Sequence, residues 1–435
     1  MGAIVSFPRR GALRGLARLF SICLYGCYAC IQMTGLDRDR SLTQFYHTVW
    51  TARDGAPSQI TALAQTTDGY LWIGSERGLF QFDGVQFRLY EPPPGVRLPS
   101  YSINSLMATP DDGLWISFNP SGVGFLKDRR LILYEQSGPE VHAFARDLDG
   151  RIWAGTRTQL LLLDGGEWLD IGESWNFRTR RVWAMFVDRS GTLWVATDDA
   201  LVFLRRGSKV FQKTGSLKAG VPRIAQASDG RLWISQWNLP LRALSDVGKD
   251  PTRGPAIEVN ATQFLFDRDG GLWMVGHLHG LCRLRFPERL GERTVKAEDP
   301  ALEWFTEDEG LPDNEANNLL EDREGNIWVS SSKGLNRFRR SQLVPVKLPP
   351  NRRESTLMAG QQGDVWVGSA LTSPVLHILP GRTVASSTRA RISSVYRQSK
   401  STIWWGGQEE YGDKKTTAST SSDNLRGYLT TGFGR

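Results

Sequence analysis

Cysteine is scarce: four serve 435 residues, and three of them, Cys23, Cys27 and Cys30, fall in one apolar stretch near the N-terminus. Only Cys282 remains in the body, which excludes a disulfide framework or a cysteine-held zinc site there. Histidine is hardly commoner, with His47, His142, His277, His279 and His377. His277 and His279 could share a strand face as a metal pair would, but no third ligand stands nearby, and both read as surface or loop residues. No Gly-x-Ser-x-Gly elbow, phosphate loop or phosphoacceptor helix is recognisable, so no reaction is assigned from a motif. A surplus of positive charge in the body is also lacking. Of the formal +7, residues 1–40 hold +4 and residues 406–435 sum to zero. The remaining +3 is too small to mark a nucleic-acid surface.

Long apolar runs are absent as well. The uncharged stretch Leu19 to Met33 has fifteen residues, short of the ~20 of a spanning helix. Preceded by Arg9, Arg10, Arg14 and Arg18, it fits a secretory signal over residues 1–33. Lipidation at Leu24-Tyr25-Gly26-Cys27 and an uncleaved anchor are the alternatives. The expected location is periplasmic or exported, with membrane contact only through this segment.

What the chain has in abundance is glycine, with 45 residues, and tryptophan, with 16. The two recur together. A polar Gly-containing turn is followed by an aliphatic residue, Trp, another aliphatic or small residue and often Gly, as in Asp68-Gly69-Tyr70-Leu71-Trp72-Ile73-Gly74 and Asp149-Gly150-Arg151-Ile152-Trp153-Ala154-Gly155. Nine copies centre on Trp72, Trp115, Trp153, Trp194, Trp233, Trp273, Trp328, Trp366 and a degenerate Trp404, at steps of 43, 38, 41, 39, 40, 55, 38 and 38 residues. A period near 40 fits propeller blades or paired-helix repeats. The Asp-Gly turns and brief aliphatic runs decide for strands.

Each unit reads as four strands. A period-two segment such as Ile60, Ala62, Ala64 precedes the Trp strand, Gly78-Leu79-Phe80-Gln81-Phe82 follows it, and Gln86-Phe87-Arg88-Leu89-Tyr90 completes it. The fold class is therefore all-β, a β-propeller of four-stranded blades. The nine Trp are assigned to the core between blades rather than to sugar stacking, because they recur at one strand position. Asp147-Leu148-Asp149-Gly150 and Asp267-Arg268-Asp269-Gly270 have the look of calcium loops but lack the longer ligand series, and read as repeat turns.

Val49-Trp50-Thr51-Ala52-Arg53-Asp54-Gly55 parallels Trp304-Phe305-Thr306-Glu307-Asp308-Glu309-Gly310, the outer strand and exit turn of unit six. This predicts an orphan outer strand that completes the last blade of a ring. Nine units exceed one ring, so the expected organisation is a first propeller over 44–346 (units one to seven), the start of a second over 347–406 (units eight and nine), and an aberrant, disordered tail over 407–435. The long step places an extra loop at Pro287 to Ala301, with a ligand-gripping role as the alternative. The tail is expected to be a truncated or frame-shifted end.

From His47-Thr48-Val49-Trp50 through Gly69-Tyr70-Leu71-Trp72-Ile73-Gly74 to Gly78-Leu79-Phe80-Gln81-Phe82-Asp83-Gly84, the chain resembles the two-component regulator propeller family over about residues 44–406. The resemblance implies the periplasmic sensor region of a hybrid histidine kinase or related signalling protein. It also implies a small-molecule or oligosaccharide ligand and signalling through a homodimer. It calls for no cofactor and no metal. The chain would not itself be an enzyme, since no transmitter domain is recognisable. It also looks like propellers that host lyases and glycoside-cleaving enzymes. A catalytic propeller or a protein-interaction scaffold are the alternative readings, and no ligand-binding residue is assigned.

Overall fold

The computed structural model describes residues 35–178, 181–216, 220, 223–244, 254–276, 279–341, 348, 354–360, 364–372, 374–379, 382–385, 390–397, 402–409, 415–421 and 428–430. The expected signal segment, and with it Cys23, Cys27 and Cys30, lies outside the described residues, as does His277.

Alternation of apolar and polar residues builds the first blade from Ile60–Gln65, Leu71–Ser75, Gly78–Phe82 and Phe87–Leu89, paired antiparallel in chain order. Its inner strand alternates buried and half-buried side chains, and its second strand is buried throughout. A strand buried on both faces is what radial packing between two neighbouring sheets requires. The later inner strands are Ile103–Ala108, Val141–Arg146, Val182–Val187, Arg223–Gln226, Gln263–Phe266 and Ala316–Glu321. Each of the seven touches the next, and that of blade 7 returns to touch that of blade 1, so the ring is closed.

The seal is the strand Tyr46–Thr51, which pairs antiparallel with Gly334–Arg339 as the outer strand of blade 7. It turns out through Ala52–Asp54, where Asp54 accepts from Thr51 N at 2.8 Å and Gly55 ends the turn with φ +86°. Glu309 does the same for Thr306 N at 2.9 Å after blade 6, ending at Gly310, which is the equivalence the two sequences show. Trp50 stacks on Trp328 at 5.6 Å and meets Phe82 edge-on at 5.1 Å, so the sealing strand also packs blade 7 against blade 1.

Packed structure starts earlier than residue 44. Leu36, Leu42 and Phe45 are buried against Trp273, Phe305 and Phe338 in the wedge between blades 6 and 7. The long step between Trp273 and Trp328 is not a free loop. Pro287–Leu290 forms a short 3-10 turn, and Thr294–Val295 adds in parallel to Ala256–Ile257, the outer strand of blade 5. Leu290 and Val295 are buried between blades 5 and 6, so the segment covers an otherwise bare sheet edge.

Two further four-stranded sheets follow the ring. One comprises Ser355–Ala359, Val365–Ser369, Leu376–Leu379 and Arg382–Ala385, and the other Ala390–Arg397, Thr402–Glu409, Lys415–Ser421 and Tyr428–Thr430. Residues assigned from the sequence to an aberrant tail therefore supply strands of the ninth sheet. Thr416, Thr417, Ser419 and Thr420 there belong to a Thr/Ser stretch of high strand preference.

Candidate functional site

The repeat tryptophans of the ring lie in its core. Trp72, Trp115, Trp153, Trp194, Trp233, Trp273 and Trp328 are all buried, and each packs into the cluster it shares with the following blade. Trp366 and Trp404 are half-buried, and in the ninth sheet it is Trp405 that is buried and meets Trp366 edge-on at 6.2 Å. Gly74 and Gly155 permit the close approach of neighbouring blades. A Cβ at Gly74 would lie 2.7 Å from Ile103 Cγ2, and one at Gly155 would lie 2.3 Å from Val182 Cγ1.

Four of these indoles donate to an aspartate six residues earlier: Trp153 to Asp147 at 3.0 Å, Trp194 to Asp188 at 2.8 Å, Trp273 to Asp267 at 2.7 Å and Trp328 to Asp322 at 2.7 Å. The same carboxylates accept turn amides, as Asp147 does from Asp149 and Arg151. The Asp-x-Asp-Gly runs are thus clasps that tie a hairpin turn to its core tryptophan, and the oxygens of Asp147 and Asp267 are already engaged.

A candidate site lies where the inner strands depart from one another in sequence. Side chains near the start of the inner strands stitch blade to blade: Asn318 Nδ2 donates to Ile60 O at 3.0 Å, Thr61 Oγ1 to Ile103 O at 2.6 Å, and Asn104 Nδ2 to Val141 O at 2.8 Å. In blades 3 and 4 the residue that follows the first of the strand is instead His142 or Trp183. Their rings stack at 5.8 Å and 28°. Trp237, on the turn between the second and third strands of blade 5, meets Trp183 at 6.5 Å and 74°. It is 38% exposed.

The group is held from several elements. Trp183 Nε1 donates to Asp198 Oδ1 at 2.7 Å, and the Arg181 guanidinium lies 5.1 Å from the Trp183 ring centre. Gly220 fits between the two indoles, since a Cβ there would lie 3.1 Å from both Trp183 Nε1 and Trp237 Cδ1. Its carbonyl accepts from Trp237 N at 3.2 Å. His142 Nε2 is buried and has no hydrogen-bond partner. Burial, assisted by Arg157 and Arg181 and opposed by Glu140, holds the imidazole below its usual range. The ring is therefore neutral at neutral pH. Two indoles, a neutral imidazole and arginines at one end of the ring can take the face of a ring-shaped ligand and an acidic or hydroxyl substituent on it.

None of these residues was singled out from the sequence as binding. His142 stands in no motif of the sequence, and Trp183 and Trp237 lie outside the repeat motif. The available signal was a large aromatic or imidazole residue interrupting the half-buried face of an inner strand. His279 lies 6.3 Å from Trp304, and His377 stacks on Trp366 at 3.8 Å and pairs with Asp364 at 2.6 Å. His377 takes part in packing, whereas His279 is exposed.

The family profile described as two component regulator propeller matches residues 54–77, 176–199 and 310–333, each spanning the exit turn, inner strand and Trp strand of a blade or part of them. No curated protein matches the chain by sequence. Among solved structures, the extracellular domain described as part of a hybrid two component system of B. thetaiotaomicron aligns with TM-score 0.61 at 16% identity over 90% of this chain. This chain spans only 55% of that domain. A streptogramin B lyase aligns with TM-score 0.51 at 13% identity, over 69% of this chain and 99% of its own. The WD40 propeller domain of Doa1 aligns with TM-score 0.51 at 13% identity, over 66% and 95%. At these identities the likeness is one of fold. Three repeats of the chain match the two component regulator propeller family, and they lie in a chain of propeller architecture.

Proposed function

We propose that the chain is the ligand-recognising part of an exported signalling protein, and that His142, Trp183 and Trp237 form its recognition platform. The observation that carries this reading is the convergence of three rings from blades 3, 4 and 5, with Trp237 exposed, two of them on inner strands near the positions where blades 7, 1 and 2 place a blade-to-blade hydrogen bond. Exposure of Trp237, with Arg181 over the neighbouring Trp183, suits a saccharide or other cyclic ligand with an acidic or hydroxyl group. The family supports the sensing role, and the likeness to an extracellular domain supports an exported location. Among the described residues no helix is long and apolar enough to cross a membrane.

A panel of neutral and acidic oligosaccharides screened by tryptophan fluorescence and melting temperature tests the reading. Binding that Trp237→Ala weakens roughly tenfold or more, with the ligand recovered intact, is the expected result. Binding unchanged by Trp237→Ala and Trp183→Phe would place recognition elsewhere. A catalytic reading has one observation in its favour: a neutral imidazole with an unpartnered Nε2, flanked by Glu140 and arginines, on a fold shared with a lyase. Release of a cleaved product, lost in His142→Ala, would select it.

A further inference from the structure

A second cleft opens away from this platform, between blades 1 and 2. It encloses about 570 Å³ and is walled by Trp72, Gln81, Arg88 and Tyr90 of blade 1 and by Leu126 and Arg129 of blade 2. The residue opposite the core Trp differs from blade to blade and bears on how each wedge is filled. The third-strand residue paired with the core Trp is Phe125 in blade 2, Leu162 in blade 3 and Phe203 in blade 4, each an apolar plug for the wedge. In blades 6 and 7 it is Arg283 or Arg337, whose guanidinium lies over the indole at 4.9 Å or 5.3 Å. In blade 5 it is Ala243, where Leu290 and Val295 pack into the wedge, and in blade 1 it is Gln81, whose polar amide puts no apolar plug beside Trp72.

The cleft carries unsatisfied polar groups. Tyr90 Oη is buried without a hydrogen-bond partner, and its ring meets Trp72 edge-on at 6.1 Å. A buried hydroxyl left without a partner is costly unless something visits it. Around the rim, several charges are already engaged: Lys127 pairs with Asp111 at 2.6 Å, Asp112 accepts from Thr67 at 2.6 Å, and Asp68 accepts from Thr66 at 2.6 Å. Arg88 reaches Asp83 only at 4.0 Å, and no hydrogen bond or ion pair engages Glu91, Asp128 or Arg129 among the described residues. Two cations and two carboxylates thus stand open around an aromatic and amide floor.

We propose that this cleft binds a small zwitterionic ligand of the amino acid or short peptide class. Its carboxylate faces Arg88 and Arg129, its ammonium faces Glu91 and Asp128, and its side chain lies over Trp72 within reach of Tyr90 Oη. The balance of the four open charges favours a molecule carrying both signs over a neutral sugar or a simple anion. The volume falls within the range of ordinary small-molecule sites. This site is independent of the platform on blades 3 to 5.

The test titrates the intact chain by calorimetry with the dipeptide glycyl-phenylalanine, its N-acetylated and C-amidated forms, and maltose. Binding of the free dipeptide at about millimolar or tighter affinity, weakened roughly tenfold by either blocking group, is expected. Tyr90→Phe and Arg129→Ala should each weaken it by a similar factor. Gln81→Phe, which copies the plug of blades 2 and 4, should abolish binding without lowering the melting temperature, so loss of binding is separated from loss of fold. Absence of dipeptide binding at about 10 mM, equal binding of the blocked forms, or preference for maltose would overturn the proposal. So would unchanged binding in Gln81→Phe. Trp237→Ala should leave dipeptide binding intact, which keeps this outcome distinct from failure of the platform.

Discussion

Asp188 Oδ2 accepts a 2.8 Å hydrogen bond from Trp194 Nε1, while in blade 5 the residue in the place of Asp188 is Ala227 and Trp233 Nε1 has no partner. The comparison separates what the turn carboxylate adds from what the indole supplies by packing alone. Burial of Asp188 pushes its carboxyl up, but hydrogen bonds from Ser190, Trp194 and Thr192 outweigh that and hold it below the usual carboxylate range.

Removing the acceptor in Asp188→Ala should cost about 1–3 kcal/mol, since it leaves a buried donor unpaired and frees a turn. Trp194→Ala should cost about 3–5 kcal/mol through the cavity it opens between blades 4 and 5. Urea unfolding gives both values, and a melting temperature unmoved by Trp194→Ala would contradict the inter-blade core.

Adding a methyl group at Gly74 should destabilise by about 1–3 kcal/mol, because the new Cβ meets Ile103 Cγ2 of the next blade. The cost should shrink in an Ile103→Ala background. A double-mutant cycle with no coupling would show that the blades are not in the contact described.

Ring closure should weaken in mild acid. His47 lies on the sealing strand, stacked on Phe338 at 4.6 Å, edge-on to Phe305 at 4.9 Å, and 3.0 Å from Asn336 Oδ1. Burial, opposed by the Asn336 hydrogen bond, lowers its folded value below the unfolded one. Its contribution is therefore present above about pH 6.5 and is lost as pH falls through the lowered folded value. Between about pH 7 and pH 5 the wild type should lose more stability than His47→Gln. Parallel pH profiles for the two proteins would exclude the effect.

Arg283 is wholly buried, lies 4.9 Å from the ring centres of both Phe45 and Trp273, and donates to Arg40 O at 2.7 Å. It pins the segment from Leu36 to Phe45 to the wedge between blades 6 and 7. Arg283→Ala should cost about 3–5 kcal/mol, with Glu303 left under-compensated nearby. It should also expose that segment to limited proteolysis. Unaltered cleavage would show that the apolar anchors Leu36 and Leu42 suffice.

The architecture was legible in the sequence because its causes are local. A hairpin turn, a Trp and a small residue two places on define one blade edge, and the likeness of Trp50-Thr51 to Phe305-Thr306 marked the missing outer strand. The carboxylate clasp was present as Asp six residues before Trp, but a turn acid is common enough that its second bond, to the indole, does not show until the strand is folded. The platform was not legible, since His142, Trp183 and Trp237 come from three blades and only ring curvature brings them together. Nor was the parallel pairing of Thr294–Val295, a two-residue strand among charged neighbours whose register depends on a distant edge.

The sealing strand and its partner are far apart in the chain, with His47 and Asn336 separated by 289 positions. During synthesis the first strand must wait, with one edge bare, until nearly the whole ring has left the ribosome. Six blades can assemble in order, but the circle gains its last contact only when the seventh arrives. A chaperone or a translocation channel that holds the N-terminal end would therefore delay closure while leaving the formation of individual blades untouched.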